Sequence, residues 1–310
     1  MTKHIDRRTL LRAGVGAAIG CTGWRSMEAF ASAAPGVTAL GQRLHLVTGV
    51  GGNVLALQGD AGLLLVDSGA PKQVKQLQSG LKALDRGAKV HTVINTHWHL
   101  DQTGGNDVFG GEGATIIAHA KARQRMATPQ YLPKEDRYLP PRKKEALPTS
   151  IFRDAGKLDF GGENIEYGYL LEAHTDGDLY VYFPTANVLA VGDAVSPQQD
   201  PVLAWFEGGW IGGRIDSQAK LLTIGNDQTR IVAATGAVIS RAELKTERDA
   251  LVTVFDRMSE SIRKGMSTSD MQRAKLLDGL PRTWANPDQF IYDAHKGMWA
   301  HHNTLSHQIV

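Results

Sequence analysis

Three residues able to hold a metal arrive close together in the segment V-I-N-T-H-W-H-L-D-Q-T-G-G-N from Val93 to Asn106: His97, His99 and Asp101. They follow a short apolar run, Val90 to Ile94, that reads as a strand, and Gly104 and Gly105 release the chain after them. In extended backbone alternate side chains share a face, so His97 and His99 can address one ion and Asp101 can follow on the same side. Imidazole suits zinc, and two ligands from one strand end supply half of a tetrahedral site at almost no loop-closure cost. A lone H-x-H also arises by chance at strand ends. Two further stretches change its weight: A-H-T-D-G-D (Ala173 to Asp178) and V-G-D (Val191 to Asp193), each closing an apolar run. With all three present, metal binding is the expected chemistry.

The order H-x-H-x-D, then H-T-D-G-D, then strand-G-D resembles the metallo-β-lactamase fold superfamily, in its zinc-dependent hydrolase branch. G-L-L-L-V-D-S-G (Gly62 to Gly69) and G-N-V-L-A-L (Gly52 to Leu57) resemble that fold's first sheet, and the likeness runs over residues 40 to 245. It implies an α/β fold, a four-layer αβ/βα sandwich with two mixed sheets face to face, helices outside and the metal at one edge. It also implies a first metal site of His97, His99 and His174, with Asp193 as an extra ligand or a carboxylate behind the ligands. The second site of the two-metal members departs here. Gln102 stands where H-x-H-x-D-H would place a histidine, and Thr235, in Ala233-Ala234-Thr235-Gly236, where P-G-H-G would. Amide and hydroxyl oxygens are poorer zinc ligands than imidazole. One zinc is therefore expected, with Asp101 and Gln102 as second-site ligands only at high zinc.

Three histidines around zinc with a fourth position open is a catalytic arrangement. Zinc lowers the pKa of bound water towards about 7 and polarises a carbonyl oxygen, while Asp101, as catalytic residue, would orient that water and accept its proton. The expected activity is hydrolysis of an ester, lactone, thioester or amide in a small-molecule substrate. Two rivals stand beside it. One is mononuclear iron on His97, His174 and Asp193, the two-histidine, one-carboxylate face of non-haem oxygenases, serving a thiol or persulfide dioxygenase. The other is a non-catalytic descendant that binds a ligand in the old pocket. Trp98, Trp205 and Trp210 are the candidate substrate-contacting residues. The last two lie in the irregular stretch Ser196 to Gly213, where aromatics can wall a pocket or simply pack.

The first 33 residues read as an export signal rather than fold. Asp6-Arg7-Arg8-Thr9-Leu10-Leu11-Arg12 looks like a twin-arginine motif, followed by the weakly apolar Ala13 to Gly20 and the small-residue pattern Ala31-Ser32-Ala33. Five basic residues against two acidic ones give this segment net +3, so a mature chain from Ala34 would carry −1 instead of the full chain's +2. Nothing then points to nucleic acid. The apolar run is too short for a permanent membrane span. Periplasmic or secreted placement follows; a lipid anchor on Cys21 is the weaker alternative, because Ala18 stands where such a site usually has Leu. With Cys21 the one cysteine, metal chemistry must rest on histidine and carboxylate.

The resemblance implies that residues 34–310 form a metallo-β-lactamase-like hydrolase domain, with a C-terminal helical extension expected from about residue 241. A 42% apolar, 21% charged composition supports a folded core. Strands are expected at Leu44–Val47, Asn53–Leu57, Leu63–Asp67, Val90–Ile94, Ala114–Ala118, around Gly161-Gly162, in a hairpin of Leu179–Phe183 and Val188–Val191, and at Arg230–Ala234. Helices are expected from Gly69-Ala70-Pro71 to Leu84, at Lys121–Ala127, at Ile215–Ile224, after the Ser240/Glu243 capping box, and at Pro287–His302. Pro129 to Pro148, with five prolines, reads as a surface excursion or a substrate-side lid. His295, His301 and His302 read as packing or surface residues, no carboxylate standing at ligand spacing. Oligomeric state and substrate identity are not written in the sequence.

Overall fold

In the computed structural model, which describes residues 35–305 except 88, 134 and 135, the run G-L-L-L-V serves two cores at once. Leu63 and Leu65 pack outward beneath a helix, while Leu64 and Val66 face a second sheet. That two-sided demand is why the stretch is apolar without alternation. The export segment and Cys21 lie outside the described residues.

Among the described residues the first sheet holds β1 (Gly36–Ala39), β2 (Leu44–Thr48), β3 (Val54–Gly59), β4 (Gly62–Val66), β5 (Val90–Ile94) and β6 (Thr115–His119) side by side. After a small hairpin of β7 (Gln130–Leu132) and β8 (Arg137–Leu139), β9 (Ser150–Phe152) joins it next to β6. The second sheet runs β10 (Ala155–Phe160), β11 (Glu163–Tyr169), β12 (Leu179–Phe183), β13 (Val188–Gly192) and β14 (Arg230–Ala233). Both are mixed: β4, β5, β6 and β9 are parallel neighbours, as are β13 and β14, and the other pairs are antiparallel.

Helix α1 (Val74–Leu84) lays Leu77 and Leu81 on the outer face of the first sheet. Then come α2 (Leu100–Thr103), α3 (Asn106–Gly111) and α4 (Ala120–Ala127). Leu64, Val66 and Ile94 meet Ile165, Val181 and Val188 between the sheets. Outside the second sheet, Leu189, Val191 and Ile231 meet Leu221 of α5 (Ile211–Leu221) and Leu244 of α6 (Arg241–Arg263). The order is helix, sheet, sheet, helix: the four-layer αβ/βα sandwich. Helices α7 (Thr268–Arg273) and α8 (Pro287–Leu305) add a separate apolar cluster against α5 and α6. No helix among the described residues is long and apolar enough to cross a membrane.

The topology delivers the chemistry to one edge. Parallel β4 and β5 end together, which sets Asp67 beside His97's segment. Two successive antiparallel pairings, β11 with β12 and β12 with β13, bring the ends of β11 and β13 to one side, and with them His174 and Asp193. Backbone bonds stitch the sheets there: Leu179 N–H donates to the Thr96 carbonyl at 2.8 Å and Asn53 N–H to that of Ala234 at 2.7 Å. Gly192 sits in the left-handed region (φ 54°), and a Cβ there would stand 2.7 Å from Thr96 Oγ1, so only glycine lets β13 close on the ligand segment.

Three local expectations need correction. Helix α5 starts at Ile211, four residues before the expected Ile215. Gly212 and Gly213 obscured the start, yet they are what lets the first turn tuck in: a Cβ at Gly212 would meet the Trp210 ring at 2.3 Å, and one at Gly213 the Glu172 carbonyl at 2.4 Å. The stretch from Pro129 to Pro148 lies largely at the surface, as expected of an excursion, but it carries the β7–β8 hairpin and is tied down as Arg142 donates to Thr103 Oγ1 at 2.9 Å and to Asp107 at 2.9 Å. Helix α7 was not foreseen; its capping box, Ser267 with Asp270, uses the shorter acid. The Ser240 and Glu243 box opens α6 as expected.

Candidate metal centre

The backbone leaves β5 at Ile94, bends through Thr96, His97 and Trp98, and is extended at His99 before α2 begins. His97 is buried, His99 half-buried and His174 buried, and one ring nitrogen of each lies within 4.8 Å of the others. The three ring centroids are 4.8 to 5.0 Å apart with near-perpendicular planes, so the imidazoles converge edge-on rather than stacking.

What each ring does with its outer nitrogen decides what the inner one can do. His174 Nδ1 faces the Val202 carbonyl at 2.8 Å, which can only accept, so Nδ1 carries the proton and Nε2 is bare. His99 Nε2 donates to Glu207 Oε2 at 2.6 Å, leaving Nδ1 for the centre. His97 Nδ1 donates to Thr96 Oγ1 at 3.2 Å, whose own hydroxyl donates to Asp67 Oδ2 at 2.8 Å. His97 Nε2 is then buried with no hydrogen-bond partner, although Asp193 Oδ2 stands 3.4 Å away. Three ring nitrogens facing one another need a cation between them, a proton or a metal ion. His99 Nδ1 and His174 Nε2 are 3.0 Å apart, a separation that needs a proton or a metal. Three imidazole nitrogens, each with its opposite ring nitrogen engaged, fit a metal ion.

Electrostatics agree with that polarity. Burial, followed by repulsion from the neighbouring imidazoles, holds His97 well below the ordinary histidine range, and burial with His99 lowers His174. Burial opposes charge on His99 as well, but the Glu207 carboxylate outweighs it and raises His99 to about 9. Metal binding must displace that proton. Burial and the adjacent Asp101 push the Asp193 carboxyl up to about 7, against the opposing pull of His99 and Arg214.

The remaining candidates fall in different places. Asp101 lies in the first turn of α2, half-buried, outside the three-nitrogen cluster. Gln102 is fully buried, its Nε2 at 3.4 Å from Asp101 Oδ2 and its Oε1 without a partner. Thr235 is half-buried in the turn after β14, which Asn53 Nδ2 holds by donating to the Ala233 and Gly236 carbonyls at 2.9 Å each. Asp178 fixes the His174 loop by accepting from the backbone N–H of His174 and of Thr175.

Of the tryptophans, Trp98 is buried in a small core with Ala118, Ala122 and Met126, its ring edge-on to that of His99 at 4.6 Å. Trp210 stacks on His301 at 4.3 Å, and Trp205 packs edge-on against Phe206. These contacts are packing contacts. His301 in turn meets Glu172 Oε2 at 3.0 Å, a carboxylate that spacing within α8 could not reveal, and His295 bonds Thr268; the side chain of His302 lies outside the described residues. Glu207 was missed by sequence reasoning. Its signal was present in W-F-E-G-G, where a lone acid sits between the aromatics and the glycines just beyond Asp193.

A family model described as the metallo-beta-lactamase superfamily matches residues 47–255. The alpha subunit of 2,4-dinitroanisole O-demethylase from Nocardioides sp. (strain JS1661) is 30% identical over 145 residues, 46% of this chain and 40% of that protein. Metallo-beta-lactamase IND-1 of Chryseobacterium indologenes is 29% identical over 157 residues, 50% of this chain and 59% of that one. The aligned part thus spans about half the length of these curated relatives. Among solved structures, a metallo-beta-lactamase from Pontibacter korlensis superposes with a TM-score of 0.58 at 18% identity, covering 70% of this chain and 98% of that one. The stereoselective inverting sec-alkylsulfatase Pisa1 from Pseudomonas sp. gives 0.64 at 14% identity, covering 86% and 50%. At such identities the likeness establishes the fold.

Proposed function

This chain belongs to the metallo-β-lactamase superfamily, and from that premise we propose that it is a hydrolase working with one zinc ion held by His97, His99 and His174. The supporting observation is the convergence of three imidazole nitrogens, each with its opposite ring nitrogen facing an acceptor: Thr96, Glu207 and the Val202 carbonyl. Zinc in such a site supplies an activated water and polarises a substrate carbonyl.

The chain's own residues supply the rest. Asp193 Oδ2 stands at the edge of the cluster, its carboxyl pushed up by burial and by Asp101, and serves as the proton acceptor beside the site. Asp101, in the first turn of α2, is read as the second carboxylate, orienting the water. Gln102 and Thr235 give the second-metal position no imidazole, so the reading is of one ion, not two. The substrate is an ester, lactone, thioester or amide, met after export of the folded mature chain beyond the cytoplasm.

Metal analysis of protein purified without added metal tests this: one zinc per chain is expected. Two zincs break the treatment of Gln102 and Thr235, one iron favours a dioxygenase, and none leaves a binding protein. A substrate panel covers the four acyl classes together with β-lactams, alkyl sulfates and aryl methyl ethers, the classes suggested by the names of the similar proteins. Turnover that His99→Ala abolishes assigns the class.

A further inference from the structure

The loop that carries Asp193 is held from behind by a buried ion pair belonging to the outer helices. Arg214 of α5 is fully buried. Its guanidinium donates from Nη1 to the Asp193 carbonyl at 2.6 Å and from Nη2 to Ser196 Oγ at 2.8 Å and Glu247 Oε1 at 3.1 Å. Glu247, on α6, accepts the Ser196 N–H with both oxygens, at 3.1 and 3.0 Å, and Gln218 Nε2 at 2.9 Å. Three residues after the candidate ligand, the backbone is therefore gripped at two points by groups from two helices. Arg282 lengthens the grip by donating to the Ser196 carbonyl at 3.1 Å.

Burying two charges at this depth is a poor route to stability, because desolvation offsets most of the attraction and an apolar pair of similar volume is often no worse. What such a pair does supply is direction. A guanidinium fork fixes three acceptors in one plane, and here the acceptors are the Asp193 carbonyl, the Ser196 hydroxyl and a carboxylate that itself holds the Ser196 amide. The Asp193 carboxylate sits 3.4 Å from His97 Nε2, so a shift of a few tenths of an ångström in this backbone is felt at the centre.

We propose that Arg214, braced by Glu247, is a positioning residue that sets Asp193 against the three-histidine centre, making the helical layer of α5 and α6 part of the metal site. The proposal rests on the metal reading of His97, His99 and His174 given above. Arg214→Lys keeps the charge but loses the fork, and Arg214→Met/Glu247→Met removes both charges together. Each is compared with wild type by two measurements: zinc affinity against a competing chelator, and thermal unfolding of the metal-free protein. The expected result is a roughly 10–100-fold fall in zinc affinity, the usual cost of losing support behind a ligand, with metal-free unfolding within a few degrees of wild type. Affinity within twofold of wild type in both variants overturns the proposal, as does an affinity loss matched by collapse of the metal-free fold. If both variants fail to fold, Ser196→Ala, which removes one acceptor and strands no charge, is judged by the same two measurements, with a fall of at least threefold expected and an unchanged affinity overturning the proposal. Wild type that binds no zinc defeats this inference and the hydrolase reading together; wild type that binds zinc, with unaffected variants, defeats this inference alone.

Discussion

On one side of the site, His97, His99 and His174 each commit an outer nitrogen to an acceptor and turn the other inward. On the other side, where a second ion would sit in two-metal relatives, Gln102 leaves an amide oxygen buried and unpartnered, and Thr235 is one residue of a turn whose geometry is set by Asn53. The two halves share an edge of the same sandwich and differ in how fully their polar groups are satisfied. Maintenance of a metal position shows in the partners behind the ligands as much as in the ligands, because an imidazole without a fixed tautomer is free to turn its proton to the ion.

Removing a ligand from the satisfied half is the most damaging change. His174→Ala is expected to lower zinc affinity by well over the ~100-fold upper range for supporting groups, leaving no stoichiometric zinc after dialysis, and retained metal would break the comparison. Rebuilding the other half comes next. Gln102→His/Thr235→His is expected to raise zinc from one to two per chain, as two imidazole nitrogens replace weak oxygen donors; a content that stays at one would show that more than these two side chains had been lost. Glu207→Gln keeps the shape but exchanges a charged acceptor for a neutral one, and a roughly 10–100-fold weaker zinc affinity is expected, read by chelator competition. The smallest effect belongs to Thr235→Ala, expected within about twofold of wild type in affinity because hydroxyls are poor zinc ligands. A larger loss would make Thr235 a ligand and erase the contrast.

The fold and the three-histidine cluster were legible for a shared reason. His97 and His99 lie just past β5 and His174 just past β11, so each short motif and the apolar run that aims it are near each other in the chain. The run Leu63–Val66 announced a strand buried on both faces, and β4 serves two cores. Supporting groups were not legible, because they come from far away: Glu207 reaches His99 across 108 positions and Arg214 meets Glu247 across 33. Trp98 shows the limit of reasoning from adjacency. The chain bends at Trp98, and its ring is buried with Ala118, Ala122 and Met126 while meeting the His99 ring edge-on at 4.6 Å. Its neighbours suggested substrate contact, while its burial makes it core.

The run from Val202 to Glu207 holds two rings that come from different sheets. Its first carbonyl takes the proton of His174, its Ala204 amide bonds the His174 carbonyl at 3.2 Å, and its last side chain takes the proton of His99. A single protease cut inside those six residues would cost the centre its hold on both rings in one event. Zinc, by tying the same rings together from the inside, should shield the run, so amide hydrogen exchange at Ala204 and Glu207 slows on metal loading while the β7–β8 hairpin is unchanged.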